Sequence, residues 1–301
     1  MLPIRLLSML VITAASLRAQ APDDGLLMPS KTLSTGAMYM HDSWDQYWEG
    51  SLKRSNGNIG TVTTQSVTWA GHYGLTDRVT LVGELPYVWT HASQGPLRGF
   101  SGIQDVTLAA KYRVLSTGFT EVGALTAIVV GAVGIPASNY SPDFQPLSIG
   151  LDSRRASGRF TLHFESHADW FIDGSAAHTW RNKVKLDRAA YFTNGQLYLT
   201  NEVAMPDVFD WKVSTGIRKK RVFIPVSVSQ QRTLGGSDIR RQDMPFVSNR
   251  MNFTKADASV MYGLTVPTDL AVQIGVSRIL NGRNVGQSTT ITAGFFHTFH
   301  F

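Results

Sequence analysis

One regularity constrains this chain more than any other. Beyond its N-terminal segment, apolar and polar side chains alternate with a period of two. Successive side chains of an extended strand point to opposite faces, whereas a helix repeats every three or four residues. In IQDVTLAAKYRVL, Val106, Leu108, Ala110, Tyr112 and Val114 share one face, and Asp105, Thr107, Lys111 and Arg113 share the other. FDWKVSTGIRK sets Phe209, Trp211, Val213 and Ile217 against Asp210, Lys212, Ser214 and Arg218. In VFIPVSVSQQ the valines 222, 226 and 228 with Ile224 oppose Ser227, Ser229 and Gln231. KADASVMYGL places Lys255, Asp257 and Ser259 opposite Ala256, Ala258, Val260 and Tyr262. The chain reads as all-β.

The alternating stretches predict about twelve strands, over 33–49, 59–74, 78–90, 102–115, 122–136, 146–152, 160–181, 207–219, 222–233, 251–264, 269–281 and 287–301. Every second connection is short: GLTDR near 74–78, STGFTE at 116–121, the region 153–159, KKR at 219–221 and TVPT at 265–268. Those between them run longer, at 50–58, 91–101, 137–147, 182–206 and 234–250; only 282–286 is short. Short turns at one end and long loops at the other are the pattern of an antiparallel outer-membrane barrel, with the turns in the periplasm and the loops outside.

A soluble sandwich or barrel also alternates, but it points its apolar faces inward. Here the face opposite the apolar one carries both signs of charge, which suits a wet lumen surrounded by lipid. Many of the predicted strands exceed the usual five or six residues and fit a tilted membrane strand of about 9–11 residues with overhang. Trp44, Tyr47, Trp48, Tyr87, Trp89, Tyr112, Trp180 and Tyr262 lie near strand ends, as interfacial girdles do. VGALTAIVVGAVGIP is apolar on both faces, but it stops at Pro136 well short of the roughly 20 residues a membrane helix needs. It is expected to be a strand with small lumen-facing residues.

The two termini add addresses. Arg5, an apolar run from Leu6 to Leu17 and small residues at Ala19 and Ala21 have the order of a secretory signal. Residues 1–21 are therefore expected to be a leader and 22–301 the barrel. The chain ends TAGFFHTFHF, which places Ile291, Ala293, Phe295, His297, Phe299 and Phe301 on one face of a closing strand. Lipid leaves no unpaired backbone satisfied, so this strand must pair with the first. Phe295, Phe299 and Phe301 also resemble the signal read by the barrel assembly machinery of the outer membrane, an expected partner in biogenesis.

YGLTDRVTLVGELPYVWT, SGIQDVTLAAKYRVL and SIGLDSRR resemble a family of outer-membrane channels associated with the meta-pathway of phenol degradation. The resemblance covers Gly71 to Arg155, with Gly74–Arg78, Leu85–Pro86–Tyr87, Gly102–Asp105 and Lys111–Tyr112 as its best-marked pieces; Gln104–Asp105 departs from the family's Gly-Asp. It implies an outer-membrane barrel that passes small solutes, hydrophobic or aromatic ones included.

Alternation nominates the lumen lining: Glu84, Asp105, Asp210 and Asp257 with Lys111, Arg113, Lys212, Arg218 and Lys255. These charges either line an open channel or pair across a narrow lumen and hold it shut. A rival to a channel is a non-conducting structural or surface-interaction barrel; a further one is an outer-membrane hydrolase. HFESH places His163, Glu165 and His167, followed by Asp169, on one face if the stretch is a strand, but its glutamate lies midway between the histidines, unlike the HExxH zinc motif. No enzyme activity, cofactor or metal is expected, and the absence of cysteine excludes thiolate sites. The formal charge of +6 comes from scattered basic residues without a block, which argues against nucleic acid. Outer-membrane lipid and lipopolysaccharide are the expected surroundings, and Lys183, Lys185, Arg188, Arg240, Arg241 and Arg250 of the long loops either meet its phosphates or are solvated. Asn194–Gly195 signals a hairpin within loop 182–206.

Overall fold

The computed structural model describes residues 21–119, 122–240, 246–267 and 269–301. The expected leader, Ala21 apart, and Arg241 lie outside the described residues. Among the described residues, twelve antiparallel strands close into one barrel: β1 Thr32–Trp44, β2 Val62–Thr76, β3 Val79–Ala92, β4 Asp105–Phe119, β5 Gly123–Pro136, β6 Arg155–Ser166, β7 Trp170–Arg181, β8 Val208–Lys219, β9 Val222–Thr233, β10 Asn252–Gly263, β11 Leu270–Arg283 and β12 Thr289–His300. Each strand pairs with its neighbours in sequence. Closure comes from β1, which pairs with β2 on one side and β12 on the other, with Ala37 opposite both Trp69 and Phe295. No edge is left for lipid to meet.

The two faces invert the usual order of a soluble protein. Leu108 and Ile274 are 52% and 64% exposed on the outside, while Lys111 is fully buried inside. Outward apolar side chains belong in hydrocarbon, where a Lys or Arg near the midplane would cost about 2–4 kcal/mol. The doubly apolar stretch is β5, a strand as expected, but its inner face is not made of small residues alone. Ile128 and Val130 point inward and are buried.

The strand boundaries move in one region. Residues 146–152 were expected to form a strand and 160–181 a single longer one; instead 137–154 is a loop and 155–181 is split into β6 and β7 around a turn at 167–169. The alternation Leu147, Ile149, Leu151 arises because an extended loop packs one side against the barrel mouth, where Leu147 and Ile149 are buried. His167 and Asp169 consequently sit at the turn, and only His163 and Glu165 of that cluster point into the lumen from β6. The girdle is corrected too. Tyr87, Tyr112, Trp180 and Tyr262 are exposed on the outside, but Trp48 is buried and Trp44 packs against Ile59, Val62, Ala92 and Leu147 inside the loop end.

Short turns join the strands at the end where β1 begins and β12 ends; the loops 45–61, 93–104, 137–154, 182–207 and 234–251 stand at the other, with the short 284–288. The Asn194–Gly195 hairpin is present, pairing Tyr191–Thr193 with Gln196–Tyr198. Both turn residues take positive φ, 51° and 80°, as the two-residue hairpin turn requires.

Candidate functional site

The lumen contains three layers, and the first is an element that alternation could not reveal. Residues 21–31 run inside the barrel at its turn end. The segment leaves the wall at Lys31, whose N–H donates to the Gly74 carbonyl at 2.8 Å and whose carbonyl accepts from the Phe301 N–H at 3.0 Å. From there it crosses the bore. Leu26 packs into a buried cluster of Ala70, Phe171, Phe223, Met261, Ala271 and Phe296, drawn from β2, β7, β9, β10, β11 and β12. Leu27 packs on the opposite wall against Val82, Ala109, Ile128 and Val130 of β3 to β5. The Met28 N–H donates to Thr80 Oγ1 at 2.9 Å. Gly25 lies so close to β6 and β7 that a Cβ would fall 2.3 Å from His163 Cβ and 2.7 Å from Asp173 Oδ1, so only glycine passes there. A segment that touches both sides of the bore is a plug.

Two ion pairs fasten it. Lys111 Nζ donates to Asp24 Oδ1 at 2.6 Å and to the Ala21 carbonyl at 2.9 Å. Lys212 Nζ donates to Asp23 Oδ2 at 2.9 Å. Burial alone would raise the Asp23 carboxyl, but the Lys212 ammonium, with Arg159 behind it, holds it down to about 2.

The second group consists of charges paired within the wall itself, along one strand or across the inner face of two or three. Arg159 donates to Asp210 Oδ1 at 2.5 Å and to Ser175 Oγ at 3.0 Å. Lys255 lies 2.9 Å from Asp257. Arg218 clasps Glu165 with two nitrogens, one at 2.7 Å. His163 offers Nδ1 to Asp173 at 2.5 Å and Nε2 to Glu165 at 3.6 Å, so both ring nitrogens already face carboxylates.

The third layer is a cap at the loop end. Arg155 donates to Asp105 Oδ2 at 2.7 Å and to Thr107 Oγ1 at 3.0 Å. Asp105 also accepts from the Tyr140 hydroxyl, which in turn accepts from the Asp152 N–H at 3.0 Å, tying loop 137–154 to the wall. Thr90 Oγ1 donates to the Leu147 carbonyl at 2.6 Å. Above this, Val184, Leu186, Tyr191, Val203, Met205 and Val247 form a small core of their own, joining loops 182–207 and 234–251 with Leu151 of loop 137–154.

Each of the nine residues nominated from the sequence lies on an inner face, Glu84 and Arg113 half-buried. Only Lys255 and Asp257 of that set pair with each other. The remaining pairs use partners left out of the lumen set: Asp23, Asp24, Arg155, Arg159 and Glu165, the last weighed in the sequence only as part of HFESH. A signal for three of them was present, because Arg155, Arg159 and Glu165 alternate with Ala156, Gly158, Phe160, Leu162 and Phe164. The plug left a fainter one in the apolar inner face of β5.

This is the fold of an outer-membrane β-barrel. Superposition on an outer membrane channel from Pseudomonas putida F1 gives a TM-score of 0.75 at 17% identity, covering 93% of this chain and 100% of that one. Two looser likenesses are the translocator domain of the autotransporter NalP from Neisseria meningitidis (TM-score 0.44, 9% identity, 89% and 88% covered) and the Pseudomonas putida toluene transporter TodX (0.40, 10%, 91% and 90%). No family model matches the chain, and no curated relative does. At these identities the likeness concerns the barrel itself, which agrees with the fold implied by the resemblance over Gly71 to Arg155.

Proposed function

We propose that the protein is a passive outer-membrane channel for small solutes, held closed in this state by its N-terminal segment. The observation that carries the proposal is that the bore is crossed by residues 21–31, a segment continuous with the wall only at Lys31 among the described residues. Wall side chains supply a polar, charged lining, and the obstruction hangs from Lys31. The likeness to an outer-membrane channel supports the same reading. The lumen charges Glu84, Asp105, Lys111, Arg113, Asp210, Lys212, Arg218, Lys255 and Asp257 would then orient the passing solute, most of them as neutralised pairs. Its surroundings would be outer-membrane lipid and lipopolysaccharide, reached through a leader over residues 1–21, whose removal would take the Ala21 carbonyl from Lys111 and leave it Asp24. Current through planar bilayers tests the channel. Purified, heat-modifiable barrel that gives no current and no liposome swelling, with or without residues 22–28, would overturn it.

A non-conducting barrel is the second reading, favoured by the double closure of plug and cap; that same result would support it. A hydrolase is disfavoured by His163, whose two nitrogens are engaged by Asp173 and Glu165. Assembly is proposed to use the outward ring row Phe295, Phe299 and Phe301, all exposed on the closing strand. Phe301→Ala, which removes the ring but keeps the N–H that donates to the Lys31 carbonyl, should lower the yield of folded barrel in the membrane, read as the heat-modifiable fraction, while leaving the conductance of assembled molecules unchanged.

A further inference from the structure

The ion pairs of the lumen fall into two kinds. Arg155, Arg159, Arg218 and Lys255 pair with carboxylates of the wall, so their charges are neutral whether or not the plug is in place. Lys111 and Lys212 pair with Asp24 and Asp23 of the segment instead. Lys111 is the sharper case. It is fully buried, and among the described residues its two hydrogen-bond partners both come from the segment. That burial includes the segment itself, so departure of the plug would admit water to the ammonium and open the place of the Asp24 carboxylate to another anion.

Beside that ammonium lies an apolar wall. Val82, Ala109, Ile128 and Val130 are buried on the inner faces of β3, β4 and β5, where Leu27 covers them. A water-filled bore has no use for such a surface, because apolar area returns to water when the cover leaves. The wall and Lys111 together form one amphipathic site, and the segment fills both halves, with the Asp24 carboxylate on the ammonium and the Leu27 side chain on the wall.

We infer that this is the solute site of the channel, and that Asp24 and Leu27 occupy it as a tethered substitute for the solute. The class of solute follows from the two halves: a small organic monocarboxylate with a compact branched or cyclic hydrocarbon body. A neutral hydrocarbon would leave Lys111 unpaired, and a bare inorganic anion would leave the wall uncovered. Entry of such a solute and departure of the segment are then one exchange, since both cannot occupy the site. The inference rests on the channel reading for its biological meaning, but binding can be measured without it.

The test is calorimetric titration of the folded full-length barrel in detergent with 3-methylbutanoate, 3-methylbutan-1-ol and acetate. The three probes differ in charge and in body. In the D24N/L27A variant, whose plug is weakened, the branched acid should bind about tenfold or more tightly than either the alcohol or acetate, because a site built for a charged group rejects an analogue lacking it. Its affinity for the unaltered barrel should be lower, since the segment competes and only the unplugged fraction can bind. Adding Lys111→Gln should remove the preference over the alcohol. Adding Ile128→Thr, which keeps the ammonium, should reduce the preference over acetate and serves if the Lys111 variant does not fold. Equal binding of acid and alcohol, or a preference that survives Lys111→Gln in folded protein, would overturn the site. Current without acid binding would sink this inference and leave the channel standing; acid binding that depends on Lys111 without current would do the reverse.

Discussion

The two ends of the lumen are closed by different constructions. At the turn end, one strand of backbone, residues 21–31, is held by its attachment at Lys31, two ion pairs and three buried apolar side chains. At the loop end, three loops anchored at both of their ends share a small core and are stitched to the wall through Tyr140, Asp105 and Thr90. With the proposed leader removed, the segment is attached to the wall at Lys31 and can leave by breaking local contacts. A cap of doubly anchored loops can move only if its core comes apart. In the proposed channel, the gate therefore belongs at the turn end and a fixed vestibule at the loop end.

The largest expected effect is the direct test of that contrast. Deleting residues 22–28 should raise single-channel conductance, with open occupancy increasing about tenfold for each 1.4 kcal/mol of plug retention removed. Replacing the 191–198 hairpin by a short linker should change conductance far less. Equal gains from both deletions would break the comparison.

Next comes Lys111→Met. It leaves Asp24 without its cation, and losing one partner of a buried pair costs about 3–5 kcal/mol. The temperature at which the compact band converts on a gel should fall. Adding Asp24→Asn should restore part of the loss, and independent effects of the two changes would show that the pair does not couple.

A smaller effect belongs to the cap. Gly195 adopts φ +80°, so Gly195→Val should strain the hairpin by about 1–3 kcal/mol. Protease should then cut more readily within 182–207 while the conductance stays unchanged.

The smallest is an effect of pH. The folded Asp23 carboxyl is held at about 2 against its ordinary 3.8, so its contribution is fully present above about 4 and lost only as pH falls towards 2. Plug occupancy, followed by a fluorophore attached at an introduced cysteine in the segment, should therefore be flat between about pH 5 and 8 as far as Asp23 governs it. Opening within that range would assign the control to another group.

The inner and outer faces of the strands were legible because alternation is a local property, written into each strand and repeated in all of them. β6 and β7 were not legible as separate strands: Leu147 to Leu151 counterfeited a strand before them, 153–159 read as a turn, and 160–181 read as one strand. What alternation cannot carry is the identity of partners across the bore. Nothing near Lys111 in the chain names Asp24, and nothing near Lys212 names Asp23.

The sequence by itself determined an all-β outer-membrane barrel, the end on which its loops stand, and the closing role of the aromatic C-terminal strand, because backbone pairing and lipid exposure act residue by residue. Tertiary structure alone decided what fills the lumen. Asp24 and Lys111 are 87 residues apart and Asp23 and Lys212 are 189 apart. Contacts over such separations exist only once the barrel has closed around the segment that plugs it.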